Sequence, residues 1–307
     1  LLVRRQFLTA CVAPLLFSTR VEAGEASSLS LWPAGPPEGG GPRGPIRRTA
    51  RGAVSNVATP HLRVVRPAVS NGAAVLIAGG GGYRRIEEGA ESDPAADWFA
   101  ARGITAFVLT YRLPGEGWVS GAKAPLEDAV RAMRVIRAGA PAFRLDIGRV
   151  GVIGFSAGGH LAGMLATQAF EPVYGASDGI DLVSARPDFA VLAYPVVTLV
   201  PPYDHTVTRR SLVGAHPTSA QSREWSVETH VDKACPPFFL VQAVDDPIAS
   251  PMNTVILKRA LDAHDVPADL LQLGSGGHGF GMGRPGSATE SWTQTLAGWL
   301  KARALIG

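Results

Sequence analysis

The stretch Val150-Gly151-Val152-Ile153-Gly154-Phe155-Ser156-Ala157-Gly158-Gly159-His160-Leu161 constrains the fold more than any other part of the chain. A short apolar run meets Gly-x-Ser-x-Gly and passes at once into a helix-compatible segment, Leu161 to Gln168. Strand, sharp turn and helix in that order put Ser156 at the apex of a strained turn. Gly154 and Gly158 flank it because strand and helix come too close there for a Cβ. The helix beginning after Ser156 aims its positive end at the same spot, which suits an oxygen about to gain charge. With 36 glycines in 307 residues, such a pentapeptide arises easily by chance. Its meaning depends on whether the chain also supplies a base, an acid and an oxyanion site in a workable order.

The hydrophobic pattern supplies the framework. Ala73 to Ala78, Ile104 to Thr110, Phe189 to Val197 and Phe238 to Ala243 are continuous apolar runs, as in strands covered on both faces. Leu270 to Leu273 adds a shorter one. Between them lie helical segments, roughly Asp93 to Arg102, Leu126 to Ala138 and Met252 to His264. A last helix repeats Trp292, Leu296, Trp299 and Leu300 on one face. Strands alternating with helices predict an α/β fold built on a mostly parallel, doubly wound sheet. Leu199 to Pro236 reads as irregular and is too short for a large lid, so at most a small cap is expected.

Three features fall where strands end, which is where open α/β sheets bind ligands. The first is Ser156. The second is Asp245-Asp246-Pro247, after the strand ending at Ala243. The third is Gly276-Gly277-His278-Gly279-Phe280-Gly281, after the last strand. A serine hydroxyl needs a base within hydrogen-bond reach, and His278 is the candidate. Asp246 is preferred over Asp245 as the carboxylate that orients it, because it falls directly before the Pro-containing turn into the next helix. Gly79-Gly80-Gly81-Gly82 follows a strand but lacks the spacing of a phosphate loop. Its better use is to bring bare N–H groups to an oxyanion, with Gly80 and Gly81 as donors joined by Ala157.

Other polar residues read as scaffold. His160 lies one turn beyond Ser156 and is expected to pack or hydrogen-bond. Asp128 is expected to pair with Arg112. His205, His216 and His230 are expected to line the substrate mouth. No His or Cys spacing suits a metal, and no cofactor is expected.

Residues 1–23 read as an export signal of the twin-arginine type. Arg4-Arg5-Gln6-Phe7-Leu8 precedes a mostly apolar run to Phe17, and Val21-Glu22-Ala23 suits cleavage. Leu8-Thr9-Ala10-Cys11 has too little apolar sequence before it for a lipoprotein box. Removing this segment takes away three arginines and one glutamate, lowering the formal charge from +3 to +1. That balance and the lack of a basic stripe argue against nucleic acid. Nothing reaches the run of about 18 apolar residues that spans a bilayer. Cys235 would then be the single thiol. Residues 24–48 read as a loose Gly/Pro-rich lead-in anchored by Leu29, Leu31 and Trp32, and 49–307 as one catalytic domain. The oligomeric state is left open.

Taken together, these motifs give a resemblance. Leu31-Trp32-Pro33-Ala34-Gly35, the glycine run with Tyr83, Tyr111-Arg112-Leu113-Pro114, the Ser156 motif and the His278 loop occur in the order seen in secreted bacterial α/β-hydrolases. The chain resembles the acetylxylan-esterase-like and feruloyl-esterase-like group, relatives of the hormone-sensitive-lipase type. The resemblance implies the α/β-hydrolase fold and a Ser156, Asp246, His278 triad with Gly79 to Gly82 as oxyanion loop. It also implies a carboxylic-ester hydrolase acting on a small-molecule ester or acylated carbohydrate. Two positions depart from the group: Gly79 replaces a usual proline or histidine, and Gln242-Ala243 replaces a common His-Gly pair before the acid. A feruloyl or general short-chain esterase remains an alternative, as does a non-catalytic carbohydrate-binding member of the fold.

Overall fold

The fold is seen in a computed structural model that describes residues 28–307. The export signal expected over 1–23, with Cys11, lies outside the described residues. Strand β1 (Ser28–Ser30) is followed by a small antiparallel ribbon, β2 (Arg47–Arg48) with β3 (Val54–Ser55). β4 (His61–Val65) pairs antiparallel with β1 and with β6 (Thr105–Thr110). From there the sheet is parallel: β6, β5 (Ala74–Ala78), β7 (Val150–Phe155), β8 (Ala190–Ala193), β9 (Phe238–Ala243) and β10 (Ala268–Leu273). The eight-stranded order is β1-β4-β6-β5-β7-β8-β9-β10. Every residue of β5 to β9 is buried, which is why those strands read as unbroken apolar runs.

Alternate side chains of those strands feed two cores. Leu76, Val152, Leu192 and Leu240 pack with α2 (Ala124–Ala138), α4 (Ala157–Thr167) and α7 (Met252–Ala263) on one face. Val75, Ile77, Ile153 and Val241 pack on the other with α1 (Asp93–Ala100) and with Trp292, Leu296, Trp299 and Leu300 of α8 (Trp292–Ala302). The remaining helices are α3 (Ala140–Phe143), α5 (Val207–Val213) and α6 (Ser219–Glu224).

Two segments are more ordered than their composition suggests. Within the Gly/Pro-rich lead-in, β1 joins the sheet, Leu31 and Trp32 are buried, and Trp32 Nε1 donates to Asp128 Oδ1 at 2.7 Å. The span Leu199 to Pro236, expected to be irregular, carries α5, α6 and a 3-10 turn, Val227–His230. Their starts were marked in the sequence. Thr206 caps α5, and Thr218 with Gln221 forms a capping box on α6. The start of α5 makes a small cap, since Thr206, Val207 and Thr208 border the hollow over Ser156. Among the described residues, no helix is long and apolar enough to cross a membrane.

Candidate active site

Ser156 sits between β7 and α4 with φ +50° and ψ −116°, a backbone conformation an L-residue tolerates only when its surroundings impose it. What imposes it is contact at the flanking glycines. A Cβ on Gly154 would lie 2.0 Å from the Gly158 carbonyl oxygen, and one on Gly158 would lie 2.1 Å from that of Ala78. The turn therefore lifts Ser156 clear of the sheet while its neighbours stay packed.

The three carboxyl-end loops converge on it. Ser156 Oγ lies 2.8 Å from His278 Nε2, and His278 Nδ1 lies 2.7 Å from Asp246 Oδ2. Asp245 faces away: it is exposed, and its Oδ1 accepts from Gly277 N–H at 2.8 Å. That contact and the neighbouring Gly276 N–H hold its carboxyl below the usual range. Asp246 is buried, and its Oδ1 accepts from the N–H groups of Ile248 and Ala249 at 2.8 and 2.9 Å. Glycines 276, 277, 279 and 281 all have positive φ, which is how so short a loop turns the imidazole back over the sheet.

The oxyanion loop differs from expectation at one position. Gly80 N–H is not free to meet a substrate, because it donates to the buried carboxylate Glu91 Oε2 at 2.6 Å. The N–H groups of Gly81, Gly82 and Ala157 have no acceptor among the described residues, and Gly81 and Gly82 border the hollow. Gly80 serves close approach instead: a Cβ there would lie 2.9 Å from the Cβ of Ser156.

The hollow holding Ser156 and His278 measures about 360 Å³ and is also lined by Arg84, Arg85, Glu87, Val207 and Ile248. A larger one, about 640 Å³, lies beside Trp225 and Met164 and contains no part of the relay, so chemistry rather than size locates the site. His205, His216 and His230 do not line the Ser156 hollow, contrary to expectation. His205 and His216 point to solvent, and His230 borders the larger hollow, its Nε2 donating to the Glu224 carbonyl at 2.8 Å. The cap turns the start of α5, not its histidines, toward the serine.

His160 is fully buried, with Nδ1 2.9 Å from Tyr83 Oη and Nε2 2.7 Å from the Trp225 carbonyl. Burial pushes it down to about 4, so it is neutral at ordinary pH. A neutral ring facing a carbonyl through Nε2 carries its proton there, leaving Nδ1 to accept from Tyr83. It ties the loop after β5 to α4 and to the end of α6. Arg112 and Asp128 are paired as expected, Nε to Oδ1 at 2.9 Å, with both side chains fully buried. Cys235 is buried, which pushes its thiol up.

Four residues that the sequence assigns no role support the site. Gln242 donates to Asp246 Oδ2 at 2.7 Å, Tyr111 Oη donates to the Gly79 carbonyl at 2.7 Å, and Glu91 and Tyr194 are joined at 2.9 Å beneath the loops. Gln242 carries a visible signal as a polar residue inside an otherwise apolar strand, and Tyr111 as part of Tyr111-Arg112-Leu113-Pro114.

Residues 65–261 match the family described as BD-FAE, which is more than half of the chain. The chain belongs to the BD-FAE family. The BD-FAE match includes Ser156 and Asp246 and ends before His278. A solved relative, the acetyl ester-xyloside bifunctional hydrolase from Caldicellulosiruptor lactoaceticus, is 31% identical with a TM-score of 0.77. The alignment covers 92% of this chain and 98% of that one. Among curated relatives, endo-1,4-beta-xylanase B of Butyrivibrio fibrisolvens is 35% identical over 206 residues, 67% of this chain. The acetylxylan esterase of Xylanibacter ruminicola is 28% identical over 244 residues, 77% of this chain. The BD-FAE chain spans only 32% and 47% of the lengths of these two proteins. The fold is that of the α/β-hydrolase esterases.

Proposed function

We propose that this chain is a serine esterase that removes acyl groups, acetyl above all, from carbohydrate hydroxyls through an acyl-enzyme on Ser156. The observation that carries the reading is the unbroken relay from Ser156 Oγ through His278 to Asp246, opening on N–H groups that have no acceptor among the described residues. In the proposed cycle, His278 Nε2 takes the Ser156 proton as Oγ bonds to the ester carbonyl carbon. The N–H groups of Gly81, Gly82 and Ala157 hold the resulting oxyanion, and losing one such donor typically costs about 3 kcal/mol. The C–O bond to the alcohol then breaks, and the alcohol leaves with the proton from Nε2. Water gives a proton to Nε2 as it attacks the acyl carbon. The carboxylic acid departs, and the proton returns to Ser156 Oγ. Asp246 fixes the imidazole tautomer and offsets the imidazolium charge.

The carbohydrate alcohol is supported by relatives named for xylan and acetylxylan, and by polar groups around the hollow: Arg84, Arg85, Glu87, Thr206 and Thr208. Export is part of the proposal, motivated by Arg4-Arg5 and the apolar run after them. Replacing Arg4-Arg5 with two lysines should abolish secretion, and unchanged secretion rules out the twin-arginine route.

The test is turnover of p-nitrophenyl acetate by the purified chain and by Ser156→Ala, followed by acetylated xylan, feruloylated arabinoxylan and short-chain esters. Acetate release from xylan by the wild type alone is expected. Equal turnover by the variant would falsify Ser156 as nucleophile. Preference for the feruloylated polymer moves the acyl group to ferulate. No turnover at all favours a binding member of the fold.

A further inference from the structure

Glu91 is a buried carboxylate that the proposed cycle does not use. It is 5% exposed, borders the Ser156 hollow, and has no cationic side chain within ion-pair distance among the described residues. Its partners are neutral donors from two different loops. Oε2 accepts from Gly80 N–H at 2.6 Å, and Oε1 accepts from Tyr194 Oη at 2.9 Å. Tyr194 Oη in turn accepts from Gly281 N–H at 3.0 Å, and the Tyr194 ring lies edge-on to His278 at 5.0 Å and to Phe280 at 4.4 Å. One carboxylate thus stands between the oxyanion loop and the histidine loop.

The local backbone is bent to bring this about. Glu91 lies in a single π-helical turn, Glu88–Ser92, ahead of α1, and such a turn inserts a residue and rotates a side chain off its regular face. Tyr194 has φ +38°, a left-handed conformation immediately after β8. Burying a carboxylate without a cation is costly, and burial pushes Glu91 up to about 7. The groups that face it are Gly80 N–H, Tyr194, Tyr111, Glu87 and His278. A glutamine would fill the space without charge, but its amide has one acceptor oxygen for two donors.

We propose that Glu91 is a positioning residue for ester hydrolysis, its two oxygens fixing the oxyanion loop and the histidine loop in register around Ser156. The inference rests on the esterase reading given above. It acts through Gly80, whose neighbour Gly81 presents the oxyanion donor, and through Tyr194, which backs His278. Because these contacts matter most once negative charge develops on the substrate oxygen, the effect falls on the transition state and not on substrate binding.

The test uses Glu91→Gln and Tyr194→Phe, assayed with p-nitrophenyl acetate and with a trifluoromethyl ketone, which forms a tetrahedral oxyanion on the serine. Each variant is expected to lose about 10- to 100-fold in kcat with KM unchanged, since small misplacements of reacting groups cost that much. The trifluoromethyl ketone should weaken by the same factor. A purely structural residue would lower Tm and the fraction of active sites, leaving kcat per titrated site and the ketone affinity as they were. Should Glu91→Gln fail to fold, Tyr194→Phe, which removes a single oxygen, decides the matter. Wild-type kcat per site in the folded variants overturns the inference while the esterase reading stands. An inactive wild type instead defeats the esterase reading and this inference with it.

Discussion

Gln242 Nε2 lies 2.7 Å from Asp246 Oδ2, the same oxygen that faces His278 Nδ1 at 2.7 Å. The amide also donates to the Ala249 carbonyl at 3.1 Å, so one side chain of β9 ties the acid to the turn that follows. Gln242→Leu keeps the bulk and removes the donor. We expect kcat to fall about tenfold with KM little changed, because an acid free to swing no longer orients the base. Unchanged kcat in the folded variant means that Ile248 and Ala249 N–H suffice.

The two adjacent aspartates should separate cleanly. On the proposed mechanism, Asp246→Asn removes the carboxylate that holds the His278 imidazole and should cost about 10⁴-fold in kcat. Asp245→Asn keeps an oxygen able to accept from Gly277 N–H, loses only an exposed charge, and should stay within about threefold of wild type. The reverse ranking in steady-state assays identifies Asp245 as the acid.

Gly158→Ala tests the close approach that shapes the serine turn. Its Cβ would lie 2.1 Å from the Ala78 oxygen and 2.4 Å from the Gly79 oxygen, both backbone atoms that cannot swing aside. Destabilisation of about 3 kcal/mol is expected from urea unfolding, at the high end for overpacking. A change below about 0.5 kcal/mol shows that the loop can retreat without strain.

Asp128 joins Arg112 to Trp32 and is fully buried. Burial pushes its carboxyl up to about 6, against the pull of the Arg112 guanidinium. Asp128→Ala leaves the guanidinium with Glu127 alone and strips the acceptor from Trp32 Nε1 and Arg112 N–H, and should cost about 3 kcal/mol in denaturant unfolding. Near-wild-type stability means that Glu127, 2.7 Å from Arg112, carries the pairing alone.

The raised Glu91 carboxyl gives stability a definite dependence on pH. Folding lifts it from 4.5 to about 7, so the folded chain binds more protons than the unfolded one between those values. Its contribution is fully present below 4.5 and is lost as pH rises through 7. The stability of the wild type relative to Glu91→Gln should therefore decline across that window, by about 3 kcal/mol at most. A constant difference from pH 4.5 to 7.5 shows that Glu91 titrates normally. The comparison of two chains matters, because buried His160 acts in the opposite sense, costing stability as pH falls from 6.5 toward 4.

Much of this arrangement is legible in the sequence because it is local. The unbroken apolar runs of β5 to β9 announce a sheet covered on both faces, and Gly154 and Gly158 announce a turn too tight for a Cβ. Ser156, Asp246 and His278 stand at strand ends, where a parallel sheet collects its loops. The Thr218 capping box is equally local, but it lies among polar residues that read as irregular.

What the chain alone determines is which residue types stand at the ends of which strands, because strand periodicity and turn chemistry act over a few neighbours. What only the tertiary structure decides is which donor meets which acceptor. Gly80 and Gly81 are indistinguishable as letters, yet a carboxylate eleven residues later occupies one N–H, while the other has no acceptor among the described residues. Gln242 and Asp246 meet because a turn folds back on its strand, and Tyr194 reaches Glu91 across 103 residues. Hydrogen bonds depend on tenths of an ångström between segments distant in sequence, and that distance is fixed only once the whole core has packed.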